Sequence, residues 1–376
     1  MVFRALSSFL DSLSADYGVP CCRMVVYKDH KKVFTHSAGY SDLAGDRPAS
    51  ADDLYWIYSA TKLSTCTAVM QLAEKGSLRL NDPVSAYLPE YGAVTVRTAE
   101  GVRPAEKPIR ILDLMTMSAG LSYELNTPEI QKTLVKYGKA ATTRQLVAAF
   151  AETPLQFEPG TRFCYSLCHD VLAAVVETVT RDPFSVYLKK NVFEPLGIED
   201  IHFHPDRNEL GRLAAQYDME PDGKALRSIG PVNGYVLSEG YESGGAGICT
   251  TCGEYAKLLD ALACDGEGAN GGRILTRDSI DQMRTNRMDP VRLRDFELMQ
   301  KVGYGYGLGV RTMLDPTASR SPLGEFGWDG AAGAYGLSDP VNRIGIFFTT
   351  HILGYERLFL EVHPKLRDLT YECLDL

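Results

Sequence analysis

Leu54-Tyr55-Trp56-Ile57-Tyr58-Ser59-Ala60-Thr61-Lys62-Leu63 is the stretch on which the reading of this chain turns. Ser59 precedes Lys62 by three residues at the start of a long amphipathic segment, so on a helix the hydroxyl and the amine share one face. A serine nucleophile with a built-in base requires this arrangement. A free seryl hydroxyl is almost never ionised at neutral pH and needs a neighbour to take its proton. A lysine does this only when neutral, and burial together with the positive potential of a helix N-terminus lowers its pKa. The same N-terminus aims backbone N–H groups at the place where an oxyanion would form. The plainer reading is that Ser59 caps a helix whose Lys62 is solvated. The tetrapeptide alone does not decide between the two.

Working outward, Leu63, Val69, Met70 and Leu72 supply core positions of a helix that ends near Gly76. Upstream, Met24–Lys28 and Lys32–Tyr40 read as a hairpin around Asp29-His30. Before it, Phe3, Leu6, Leu10 and Leu13 recur at helical spacing. The middle, from about Asn81 to about Gly234, carries helical patterns at Ile111–Met117, Thr143–Ala151 and Asp170–Thr180 with Pro/Gly punctuation. Beyond Gly244-Gly245-Ala246-Gly247, Tyr304–Val310 and Arg343–Thr350 read as strands, and a closing helix starts near Tyr355. Strands at both ends around a helical middle predict an α+β fold. Residues 1–80 and 235–376 would form a discontinuous domain around an antiparallel sheet flanked by helices. Residues 81–234 would form a mainly helical second lobe.

The 376 residues suffice for a large core, and the 45% hydrophobic and 23% charged fractions are those of an ordinary globular protein. A net charge of −9 without a Lys/Arg cluster argues against nucleic acid and against an anionic membrane surface. No run approaches the roughly 18 apolar residues of a membrane span, and the first residues read as a helix rather than a signal peptide. Nine scattered cysteines suit reduced thiols in a cytoplasm. Cys249 and Cys252 have C-x-x-C spacing, but a zinc site would lack its other ligands. Thr251 with Glu254 reads instead as a capping box. His202 and His204 have strand-like spacing without an acidic partner motif, which favours a structural or surface role. The motifs G-x-S-x-G, H-E-x-x-H and a strand-linked G-x-G-x-x-G are absent. No cofactor or metal is called for.

Several segments converge on one family. Tyr58 to Val84, which contains Ser59-Ala60-Thr61-Lys62, resembles the class C β-lactamase-like serine hydrolases. So do Leu112–Leu121, Phe157–Ser166, Gly244–Gly247 and Phe326–Gly333, in the family's order and across nearly the whole chain. Within that superfamily the chain looks most like the family VIII carboxylesterases and related acyltransferases. The resemblance implies a β-lactamase/transpeptidase-like fold with the active site in a cleft between sheet domain and helical lobe. It implies that Ser59 is acylated, that Lys62 is its hydrogen-bonded partner, and that Tyr165 is the tyrosine of the family's Y-x-N motif. That tyrosine shares or relays the proton, and beside an ammonium it would be open to partial ionisation. The N–H groups of Ser59 and Ala331 would form the oxyanion hole.

Two departures stand out. Leu167 takes the place of the amide in Y-x-N, and Trp328-Asp329-Gly330 takes the place of the lysine-bearing K-T-G triad. Leu167, Trp328, Asp329 and Gly330 are the expected substrate-binding residues. Trp-x-Gly is typical of the esterases, whereas Asp329 is unusual and leaves the preferred substrate charge open. An unscreened carboxylate opposite it would be disfavoured by about a kcal/mol or more. The expectation is therefore a cofactor-free, cytoplasmic serine carboxylesterase. It would act on a small-molecule ester through an acyl-enzyme on Ser59, with the short-chain preference implied by the resemblance. A β-lactamase, D-amino-acid peptidase or acyltransferase of the same fold is the alternative, and a non-catalytic structural relative the second.

Overall fold

The computed structural model describes residues 3–221, 223 and 225–376; Met1 and Val2 of the expected N-terminal helix lie outside these. A seven-stranded sheet runs in the order Tyr304–Tyr306, Arg311–Met313, Phe326–Gly327, Tyr335–Asp339, Ile344–Thr349, Cys21–Lys28, Lys31–Gly39. Every neighbouring pair is antiparallel. The C-terminal strand Ile344–Thr349 pairs directly with the N-terminal Cys21–Lys28, Val25 opposite Phe347. The hairpin turns at Asp29 and His30, both with positive φ (49° and 63°).

Strand alternation sorts the core into two layers. Met24, Val26, Ile346 and Phe348 face the helices Arg4–Tyr17 and His363–Cys373, where Leu6, Leu10, Leu13, Leu366 and Leu369 meet them. Val25, Tyr27 and Phe347 face the helix Cys252–Ala263. That helix comes close because Gly345 has no side chain: a Cβ there would lie 2.6 Å from Asp260 N. The helices Ile111–Met115, Pro128–Tyr137, Thr143–Glu152, Cys168–Thr180 and Phe184–Leu188 form the second body of packing, joined to the sheet side by the helix Thr61–Glu74.

One boundary differs from the expectation. Tyr304–Val310 is a strand only to Tyr306, because Gly307 N–H turns back onto Val310 O at 2.8 Å. The closing helix begins at Glu356, as expected, and includes a π turn over Leu358–Val362. Short strands occur inside the middle segment from Ile201 onward. Ile201–His202 pairs with Cys249–Thr251, and Tyr217–Met219 pairs with Ile352–Leu353. These short strands find their partners on the sheet side, a through-space preference that composition does not carry.

Candidate active site

Ser59 lies in a single 3-10 turn, Tyr58–Ala60, between the strand Leu54–Trp56 and the helix Thr61–Glu74. Tyr58 carries φ 45°, a strained value for a bulky residue that costs on the order of 1–3 kcal/mol. Its surroundings hold it there: Tyr58 OH donates to Gln216 Oε1 at 2.6 Å, and its ring meets Tyr235 edge-on at 5.7 Å. The helix that follows is not amphipathic as expected but buried on nearly every side. Its polar residues are satisfied internally. Thr65 donates to Gly244 O at 2.6 Å, and Gln71 Nε2 to Asn191 O and Ile274 O at 2.7 and 2.9 Å.

This depth excludes the plainer reading of the motif. Ser59 is not a side-chain cap, and Lys62 is fully buried. Lys62 Nζ donates to Ser59 Oγ at 3.1 Å and to Gly245 O at 2.8 Å. Burial lowers its pKa to about 7, against an opposing pull chiefly from Asp170. The amine sits 4.7 Å above the Tyr165 ring and 5.6 Å from the Tyr123 ring.

Tyr165 is clamped. Tyr123 and Trp328 both stack with it, each with centroids 5.5 Å apart, and Trp328 Nε1 donates to the Tyr165 hydroxyl at 3.0 Å. The hydroxyls of Tyr165 and Tyr123 are both hydrogen-bonding neighbours of Ser59. Burial pushes the Tyr165 phenol far above its usual pKa. This burial runs against the expected partial ionisation: Lys62 approaches the ring face, and desolvation outweighs the hydrogen bonds from Ser59 and Trp328. Trp328→Phe keeps the stack but removes the indole donor, so kcat/KM is expected to fall about tenfold, the worth of one hydrogen bond. A fall in thermal midpoint of more than a few degrees in that variant would point to packing instead.

A cleft of about 280 Å³ opens at this point, lined by Ser59, Tyr165, Trp328, Asp329, Gly330 and Ala331. Leu298, Met299, Phe359 and Leu360 form its apolar wall. Gly330 lies against the segment just ahead of Ser59: a Cβ on it would lie 2.1 Å from Ile57 O, so only glycine lets the two backbones touch.

Two expected substrate residues are reassigned. Leu167 does not line the cleft. It precedes the helix Cys168–Thr180 and buries its side chain beside Leu121, Ile130 and Phe150, as an apolar side chain there must. Asp329 does line it, but as a saturated anion. It is ion-paired with Lys301 and accepts from Arg311 Nη1 at 2.7 Å, and these cations hold its pKa down at about 2. It therefore exerts no unscreened repulsion. Trp328 is buried and serves first as the donor to Tyr165.

Sequence reasoning missed Tyr123, Asp170, Lys301 and Arg311, none of which carries a motif. Of the cysteines weighed, Cys249 ends up in a strand and Cys252 opens a helix capped by Thr251, which accepts from Glu254 N at 3.2 Å. His202 does have acidic partners, Asp200 and Glu209, each at 2.9 Å. Among the described residues no helix is long and apolar enough to cross a membrane.

Comparison with known proteins bears on the family and the fold. The sequence model of the beta-lactamase family matches residues 6–369. Lovastatin esterase from Penicillium rubens is 33% identical over 299 residues, 73% of each chain. Protein Rv1367c of Mycobacterium tuberculosis is 29% identical over 330 residues, 84% of this chain and 82% of that one. The solved structure of EstCE1, described as a hydrolase with promiscuous acyltransferase activity, superposes with a TM-score of 0.79 at 24% identity, covering 98% of both chains.

Proposed function

Because the chain belongs to the beta-lactamase family, whose fold it shares, we propose that it is a serine carboxylesterase acting on small, uncharged esters with short acyl chains. The observation that carries this is the buried Lys62 amine on Ser59 Oγ at the floor of an apolar cleft. Neutral Lys62 takes the Ser59 proton as Oγ attacks the ester carbonyl carbon. The N–H groups of Ser59 and Ala331 stabilise the oxyanion. Collapse expels the alcohol, which takes its proton from the Lys62 ammonium or the neutral Tyr165 hydroxyl beside it. Water then attacks the acyl-Ser59 carbonyl and gives a proton to the same pair, which passes it to Ser59 Oγ as the acyl–oxygen bond breaks and the acid leaves.

The wall of Leu298, Met299, Phe359 and Leu360 favours apolar groups by desolvation. A substrate carboxylate finds no uncommitted cation among the described lining residues, since Lys301 is spent on Asp329. This disfavours carboxylated lactams. The test is turnover of p-nitrophenyl butyrate beside a chromogenic cephalosporin across pH. Lys62 must be neutral, so kcat/KM for the ester is expected to fall below a limb near pH 7. Cephalosporin turnover matching the ester, or a flat profile through pH 6, would sink this reading.

A further inference from the structure

Asp170 stands one turn into the helix that follows Tyr165, and its carboxylate is almost fully buried. Oδ1 accepts from Tyr241 OH at 2.7 Å, Ser243 Oγ at 2.6 Å and Gly245 N–H at 3.4 Å. Oδ2 has no hydrogen-bond partner among the described residues. Gly245 lies between this oxygen and the base. Its carbonyl accepts from Lys62, and a Cβ on it would lie 2.6 Å from Asp170 Oδ2 and 3.4 Å from Lys62 Nζ. Carboxylate and amine thus approach one glycine from two sides, with no side chain between them and no direct ion pair.

The other groups around Lys62 are the Ser59 hydroxyl, the Tyr165 and Tyr123 phenols, the Cys66 and Cys168 thiols and the His169 imidazole. Burial raises the pKa values of these phenols and thiols and lowers that of the imidazole, so all are neutral near pH 7. Among the described residues Asp170 is the one carboxylate whose charge acts appreciably on the amine.

We propose that Asp170 is a positioning residue that sets the proton affinity of Lys62 across Gly245. This rests on the Ser59–Lys62 reading above. A contact ion pair would lock Lys62 as an ammonium unable to act as a base. No carboxylate at all would leave a buried amine too weak to take a seryl proton. Asp170, held back by Tyr241 and Ser243, supplies the intermediate field. Even at about 6 Å, the greatest separation the two Gly245 distances allow, and an effective dielectric of roughly 20–40, one carboxylate shifts a neighbouring amine by about one to two pH units.

The test is the rate of covalent capture of Ser59 by a fluorophosphonate over about pH 5–9. It compares wild type with Asp170→Asn and Asp170→Ser, which remove the charge, and Ser243→Ala, which removes a donor and keeps it. The acid limb is expected to move down by about one to two pH units in the first two, and to stay at or above the wild-type position in Ser243→Ala. An unshifted limb in either folded Asp170 variant, or a downward shift in Ser243→Ala, overturns the assignment. Should both Asp170 variants fail to fold, the Ser243→Ala limb decides alone. A folded wild type that is not labelled at Ser59 would overturn the nucleophile reading, a failure distinct from an unshifted limb in a labelled enzyme.

Discussion

Ser59→Ala is expected to lower ester turnover by at least about 10³–10⁴-fold while leaving the fold in place. On the proposed acyl-enzyme route the substitution removes the attacking oxygen, and it leaves the cleft wall and the Ala331 N–H untouched. What survives is rate from binding and oxyanion stabilisation alone. Lys62→Met should cost a similar factor, and the double variant no more than either alone, because nucleophile and base act as a unit. The two variants part company in stability. Ser59→Ala should unfold within about 2 °C of wild type, since it removes a single oxygen. Lys62→Met replaces a fully buried amine by an apolar chain of similar length, so its thermal midpoint is expected to equal or exceed that of wild type. Initial rates with p-nitrophenyl butyrate and a calorimetric melt decide both points. Turnover within tenfold of wild type in Ser59→Ala would refute the acyl-enzyme route.

Arg311→Ala is expected to be the most damaging single change outside the nucleophile. Arg311 is 1% exposed and donates to Asp329 at 2.7 Å and to Gly336 O at 2.9 Å. Its guanidinium stacks between Tyr304 and Tyr335, 5.2 and 4.8 Å from their centroids. Glu325, fully buried, stands 3.9 Å away. Removing Arg311 leaves two buried carboxylates sharing less positive charge, and breaking a buried pair costs about 3–5 kcal/mol. For a chain of this size that is about 4–6 °C in thermal midpoint. Ester turnover should fall as well, because Asp329 adjoins Gly330 and Ala331, and its displacement would move the oxyanion donor. Lys301→Met, at the edge of the same cluster, should cost much less, because its ammonium is partly solvated. A melt of Arg311→Ala within 1 °C of wild type would mean the cluster contributes nothing to stability.

What could be read from the chain is what backbone periodicity encodes locally. The three-residue offset of Ser59 and Lys62, the apolar repeat of Leu6, Leu10 and Leu13, and the alternation of Val25 and Val26 each fix a face within one turn or one pleat. From such faces follow the sheet built from both termini and the helices around it; the family was legible only through the resemblance of its motif segments. Burial, contact and charge balance lay beyond that reach. The orientation of Leu167 depends on Ile130 and Phe150, and the silence of Asp329 on cations 28 and 18 residues away. The neutrality of Tyr165 depends on enclosure by Tyr123 and Trp328. Asp170 gained its place beside Lys62 only through Gly245, far along the chain from both. Electrostatic and desolvation energies depend on through-space distance and on the absence of water. Neither quantity exists until distant segments pack, so the sequence by itself determined the chemistry on offer, and the tertiary structure decided which groups are charged, which are free and which face the substrate.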